Sequence, residues 1–395
     1  MLYPIAIYPL FLAGVIAAFW AVSPAARRHV LWISSTALII FLSWRSALAF
    51  LALTVVTYQI GRRLARKPSS PNTTRALMTI GIAVPLLYLA TFKYLPEYAP
   101  PIRSLLQVMS AELLLPLGIS YFTFKFIHYI IEARRGTLPA HDWWDFLTYS
   151  SLFSIFAAGP IERFHTLQPQ LGTPVFDATG FAYGIQRIVE GSIKKVLIAD
   201  FFLVALLEHV AVAHESPANA SLVAQALFLW ASFLHVYFDF SGYSDIAIGT
   251  SRLFGLTVME NFDWPILRRN ISEFWRAWHI SLSNWCRDYV YFPVFGATRN
   301  PKLSIYASML AIGYWHSPNP TWICWGLWHA SGLAIWQMWQ VFKRKRPALQ
   351  RASRNSLPYR IAATVVTINF VVLGAVWHAT GSVGRALEFL YYLVS

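Results

Sequence analysis

Charge is scarce in this chain. Only 13% of its 395 residues are Asp, Glu, Lys or Arg, about half the share of an ordinary soluble domain. Apolar residues make up 56%, and mean hydropathy is +0.47. That balance excludes a solvated globular fold and points to a polytopic membrane protein. Cysteine is nearly absent. Cys286 and Cys324 both sit in aromatic, apolar surroundings, so neither a disulfide framework nor a Cys-based metal site is expected. There is no H-E-x-x-H, no His pair at i, i+4, no G-x-S-x-G elbow, no P-loop and no dinucleotide fingerprint. Internal repeats, low-complexity tracts and a separate soluble domain are missing too. The first apolar segment has no basic leader and no convincing cleavage site, so no signal peptide is expected.

The charge that is present is lopsided: 32 Lys and Arg against 18 Asp and Glu, a formal net charge of +14. On a soluble protein this would suggest nucleic acid. Here the basic residues fall between apolar segments, as the positive-inside rule requires, and no nucleic-acid partner is expected. A span needs about 20 apolar residues. The first runs from about 5 to 22 and ends at Pro24 and Arg27-Arg28. The stretch 30–60 is too long for one span and is broken at Ser43-Trp44-Arg45-Ser46, so two helices with a tight turn are predicted there. That choice keeps Arg27, Arg28, Arg62, Arg63, Arg66 and Lys67 on one side. Further candidates lie at about 76–93, 104–132, 146–160, 181–211, 221–240, 303–315, 319–342 and 361–378, with a short apolar tail at 386–394. Residues 241–300 are too charged for a span and too aromatic for a simple loop. Re-entrant or buried helices are expected there, surrounded by protein or a water-filled cavity. The run 343–354, KRKRPALQRASR, is expected to be a cytoplasmic loop.

Four stretches carry ionisable residues where an apolar chain has least use for them. In EFWRAWHISLSNWCRDYVYFPV (273–294), Glu273 with Arg276 and Arg287 with Asp288 are expected to pair, and His279 could take a proton from a hydroxyl near neutral pH. In GYWHSPNPTWICWGLWHASG (313–332), Pro318 and Pro320 break the chain after His316. Gly326 and Gly332 flank His329 and allow close approach of another helix or a ligand. Each of these histidines can equally be a packed core residue. In YFDFSGYSDIAIG (237–249), Asp239 and Asp245 could act as acid and base. The structural alternative is a helix break at Gly242 with Asp245 near a new helix start. In PLGISYFTFKFIHYIIEARRG (116–136), Lys125, His128 and Glu132 share a helical face and are expected to be paired or cavity-lining. These features suit an enzyme or a transporter of an envelope lipid or sugar. A scaffold with a degenerate site is a third possibility.

Taken together, PLGISYFTF, AGPIERF (158–164), YFDFSGYSDIAIG, MENFDWPILRRNISEFWRAWHISLSNWCRDYVYFPV and WGLWHASG resemble the membrane-bound O-acyltransferase family, in its order, over about 116–332. Within it, the chain is similar to the bacterial polysaccharide-modifying branch, whose members D-alanylate teichoic acids or O-acetylate alginate. The short length and GPIERF lean toward the D-alanyl type. The resemblance implies an all-α polytopic membrane protein, a single domain over 1–395, with a ring of about 10–12 transmembrane helices plus re-entrant helices around a central funnel. It implies transfer of an acyl group, D-alanyl or acetyl, from a cytoplasmic thioester to a hydroxyl of an exported envelope polymer or a relay protein. His329 would be the general base, and His279 would orient the acceptor or stabilise the oxyanion. Arg276, Asp245, Asp239, Trp278, Ser281, His316 and Trp325 would line or support the tunnel, with charge pairs holding His279. Ala330 and Ser317 stand where the family usually has Gly, which bears on fine packing. No metal or bound cofactor is implied. The donor would be the phosphopantetheine thioester of an acidic acyl carrier protein or acyl-coenzyme A, drawn to the basic cytoplasmic loops. A bacterial plasma (inner) membrane location follows, with an extracytoplasmic relay protein as a further partner.

Overall fold

The computed structural model describes residues 7–66, 70–99, 101–104, 116–172 and 174–395. Every regular element among them is helical. The main helices are α1 (Ile7–Ala21), α2 (Pro24–Leu42), α3 (Trp44–Ala65), α4 (Pro71–Leu89), α5 (Ile119–Arg135), α6 (Trp143–Ser151), α7 (Phe164–Leu171), α8 (Ala178–Ser192), α9 (Leu222–Leu253), α10 (Ile271–Ala277), α11 (Ile280–Cys286), α12 (Pro301–His316), α13 (Pro320–Arg344), α14 (Leu357–Gly374), α15 (Val376–Ala379) and α16 (Val383–Val394). By length and composition, four described segments can cross a membrane: Pro24–Leu42, Pro71–Tyr98, Leu222–Leu253 and Leu357–Ala379. The other helices are shorter, or carry the charges and imidazoles noted above. Part of the span expected at 104–132 lies outside the described residues. The contacts group into two compact units, residues up to 189 with 245–259, and residues 190–244 with 260–395.

In the first unit the predicted break in 30–60 is present. It falls at Ser43, whose extended backbone (φ −164°) ends α2 and whose hydroxyl accepts from the Ser46 amide at 3.2 Å. The short cap turns the chain at once because a Ser side chain replaces the amide partner that a continuing helix would have supplied. Lys125, His128 and Glu132 prove to be paired. The Lys125 ammonium donates to the Tyr149 carbonyl at 3.2 Å, the Phe164 amide donates to His128 Nε2 at 3.0 Å, and Glu132 meets Arg135 at 2.8 Å. The span expected at 146–160 is not one. Its helix, α6, opens on an Asp142–Asp145 capping box and closes after nine residues. The apolar residues beyond it are buried against protein: the Phe153 amide donates to Ser35 Oγ at 3.1 Å, and Ser154 and Ser251 hydroxyls bond at 2.8 Å. A short apolar run reads the same whether lipid or protein covers it, which is why length alone misjudged it.

α9 is continuous for 32 residues and does not break at Gly242. In the first unit, Asp245 of this helix is ion-paired with Arg187 of α8. A role at a helix start is thereby excluded.

In the second unit Gly242 has a different task. A Cβ there would lie 2.7 Å from the Gly191 carbonyl and 2.8 Å from the Lys195 amide, so the glycine lets two backbones touch. Beside it, Lys195 pairs with Asp239 and, at 2.8 Å, with Asp200. α12 and α13 form a tight antiparallel pair. Ser317 ends α12 in extended backbone (φ −161°), and Asn319 caps α13 by accepting from the Thr321 amide at 3.1 Å. Pro318 and Pro320 thus act as expected. A Cβ on Gly326 would sit 2.8 Å from the Met309 carbonyl, and one on Gly313 would overlap the Trp322 carbonyl.

Candidate active site

The segment 273–294 is not a single helix. α10 ends at Ala277, and His279 takes the left-handed conformation (φ 42°, ψ 55°) as the N-cap of α11. A non-glycine residue there costs on the order of 1–2 kcal/mol and persists only where its surroundings over-determine it. Asn261, fully buried in the MENF stretch, supplies that constraint. Its carbonyl oxygen accepts from the Ile280 amide at 2.9 Å. Its side-chain oxygen accepts from the Ser281 amide at 3.2 Å and the Ser281 hydroxyl at 2.9 Å, and its amide nitrogen donates to Ser244 at 3.2 Å. On the other flank the Asp263 amide donates to the Ala277 carbonyl at 2.9 Å. The corner turns the His279 ring edge-on against Phe240, with ring centres 4.6 Å apart.

His329 comes from the middle of α13 and is equally buried. Its ring meets Trp275 edge-on at 5.2 Å and Trp325 at 4.6 Å. Close approach of α14 is what confines it. A Cβ on Gly374 would lie 3.2 Å from His329 Nε2 and 2.9 Å from the Trp328 ring, and one on Gly332 would lie 2.6 Å from the Phe370 ring.

Both histidines line one cavity of about 80 Å³. On three of its lining residues a buried polar atom has no hydrogen-bond partner among the described residues: His279 Nε2, His329 Nδ1 and Trp275 Nε1. Each such atom costs about 1–3 kcal/mol when nothing satisfies it. Gathered on residues around one void, they make it a candidate place for a polar ligand. The remaining wall is a stack: the His316 ring lies parallel to Trp322 at 4.3 Å, and His378 of α15 lies parallel to the same indole at 5.2 Å.

The sequence-derived residues therefore separate into groups. His279, His329, His316, Trp278 and Trp325 converge on the cavity, while Ser281 stands behind it on Asn261. Arg276 is exposed and makes no ion pair among the described residues, so the expected Glu273–Arg276 pair is absent. Glu273 is the third residue of a short helix, and its carboxylate turns back to the helix start, accepting from the Arg269 amide at 3.2 Å and pairing with the Arg269 side chain at 3.7 Å. Arg287 does pair with Asp288, at 3.0 Å. Asp239 and Asp245 are held by Lys195 and Arg187 respectively and are not an acid–base couple. Sequence reasoning missed Asn261 and His378. The available signals were an Asn next to the acidic-aromatic run, and a His inside the last apolar span.

A larger cavity of about 880 Å³ also lies in this unit. Arg269, Lys343 and Arg344 line it together with Trp336, Ile335 and Phe370. The Phe370 ring in turn meets His329 edge-on at 6.1 Å, and its carbonyl accepts from Trp328 Nε1 at 3.0 Å.

A sequence model of the membrane-bound O-acyltransferase family matches residues 101–375, and so covers both histidines. The chain belongs to this family. It is 35% identical over 379 residues to a probable alginate O-acetylase, AlgI, of Pseudomonas aeruginosa, covering 93% of this chain and 70% of that protein. It is 30% identical over 279 residues to the teichoic acid D-alanyltransferase of Bacillus subtilis, covering 65% and 67%. To the peptidoglycan O-acetyltransferase of Helicobacter pylori it is 26% identical over 400 residues, covering 92% and 73%. Among the alginate-type relatives, the chain spans between 52% and 70% of their length. The protein is a multi-pass member of that family in the bacterial inner membrane.

Proposed function

We propose that this protein transfers an acyl group from a cytoplasmic thioester to a hydroxyl on an exported envelope polymer, or on a relay protein that hands it onward. The observation that carries this reading is the pair of buried histidines with unpartnered ring nitrogens on one small cavity, in a chain of the O-acyltransferase family. In the proposed step, His329 takes the acceptor hydroxyl proton while the oxygen attacks the thioester carbonyl carbon. The C–O bond forms, the C–S bond of the tetrahedral intermediate breaks, and the thiol leaves with the proton that His329 returns. General base catalysis of this kind is worth roughly 10²–10⁴-fold. His279 orients the acceptor or donates to the developing oxyanion, a contribution of about 10²–10³-fold. The aromatic lining keeps water from the thioester.

The larger cavity suits the donor. Its basic residues Arg269, Lys343 and Arg344 fit the phosphates of a phosphopantetheine arm or coenzyme A, and its Phe370 reaches the His329 ring. For the acyl group, acetyl is favoured over D-alanyl, because the relatives named alginate O-acetylases share 35–38% identity with this chain and the one of Bacillus subtilis named a D-alanyltransferase shares 30%. A flippase would also need a polar intramembrane path, but it would have no use for a basic imidazole at position 329.

The test is envelope ester content, released by mild base and read by mass spectrometry, in a deletion strain complemented with wild type or His329→Ala at equal membrane levels. Restoration by wild type alone supports acyl transfer, and the released acid names the group. Full restoration by His329→Ala would sink the base assignment and favour the transporter.

A further inference from the structure

The reaction cavity has four imidazoles, and the proposed chemistry uses two. Of the other two, His378 comes from the short helix α15, just beyond residues 101–375 matched by the family. It lines the cavity with His279 and His329. Its ring lies flat against Trp322, at 10° between planes. Its side chain makes no hydrogen bond with any other described residue. Apart from indole nitrogens, the four imidazoles are the only polar side-chain groups lining this cavity among the described residues.

We infer that His378 is an acceptor-positioning residue, whose ring nitrogen hydrogen-bonds a polar group beside the reacting hydroxyl of the incoming acceptor. A polyol or sugar acceptor brings several hydroxyls into a space walled by Phe240, Trp278 and Trp322. Each hydroxyl that leaves water without a partner weakens binding, so such a pocket needs polar anchors beside its reacting groups. His378 is suited to this because stacking on Trp322 sets its plane while leaving its edge open. Gly374 and Ala375, in the same stretch of chain, bring it to the wall beside His329. The inference rests on the acyl-transfer reading.

The test separates the ring from its nitrogens. His378→Phe keeps an aromatic ring for the Trp322 stack and removes the hydrogen-bonding atoms. His378→Gln loses the ring and restores a polar group near the Nε2 position. Envelope ester is measured for both at membrane levels matched to wild type, with His329→Ala in the same experiment. His378→Phe is expected to leave about a tenth of the wild-type ester or less, and His378→Gln at least half. Full ester in His378→Phe, or loss in both variants at normal membrane level, would overturn the inference, since either result assigns His378 to packing. Loss in His329→Ala together with full ester in His378→Phe removes this inference and leaves acyl transfer standing. Full ester in His329→Ala removes the base assignment, and with it the basis of this inference.

Discussion

Asn261 holds Ser281 through both the amide and the hydroxyl, at 3.2 and 2.9 Å, and by doing so it holds the left-handed corner at His279. The link joins a residue of the MENF turn to the first turn of α11, twenty positions later. Asn261→Ala removes three side-chain hydrogen bonds from a site with no solvent to replace them. Loss of about 1–3 kcal/mol per stranded group is expected to lower both membrane level and envelope ester. If Asn261→Ala kept full ester, this clamp would not be what positions His279.

The corner makes a second prediction about His279 itself. Glycine adopts φ near 42° without the Cβ penalty, so His279→Gly should be more stable than His279→Ala by about 1 kcal/mol. Thermal unfolding in detergent measures the difference. Both variants should lose the ester, since both lack the imidazole. Equal stability of the two would show that the backbone there is not strained.

Gly374→Ala places a methyl group about 3 Å from the Trp328 ring and His329 Nε2. The neighbours must shift by a few tenths of an ångström, and α14 carries the rest. Overpacking of this kind costs about 1–3 kcal/mol. We expect ester content to fall at least tenfold while the protein still reaches the membrane. Undiminished ester would mean that His329 tolerates movement that the proposed base cannot.

Arg187 and Asp245 form a buried ion pair between α8 and α9. Removing one partner strands the other and costs about 3–5 kcal/mol, whereas replacing both with apolar residues of similar volume is often neutral. Asp245→Leu alone should therefore deplete the protein from the membrane, and Arg187→Met with Asp245→Leu should restore it and the ester. An inactive double variant at normal level would give the pair a chemical role.

Arg276 is expected to be dispensable for stability. It is exposed and has no ion-pair partner among the described residues, and such substitutions usually stay within about 0.5 kcal/mol. Membrane level and thermal midpoint of Arg276→Ala measure this. Collapse of the fold would restore the pairing with Glu273 that the geometry denies.

Several features could be read before any fold was known. Scarce charge and long apolar runs determined a membrane protein, because bilayer thickness sets helix length. Ser43 ended α2, and Pro318 and Pro320 separated α12 from α13, because such residues act on their own backbone. His279 and His329 stood out because imidazoles are rare in apolar chain and their motifs are distinctive. What the sequence could not determine was which distant residues would meet. Gly242 looks like a helix breaker, yet it serves as a contact surface, because its role depends on the Gly191 backbone fifty-one positions away. The Glu273–Arg276 pair satisfied helical spacing and still failed, because in a seven-residue helix the carboxylate of the third residue bends back to the helix start. The Asn261 clamp and the place of His378 on the cavity wall were decided by packing alone. Spacing reports only neighbours a few residues apart, whereas a catalytic cavity is assembled from side chains that only the tertiary fold brings together.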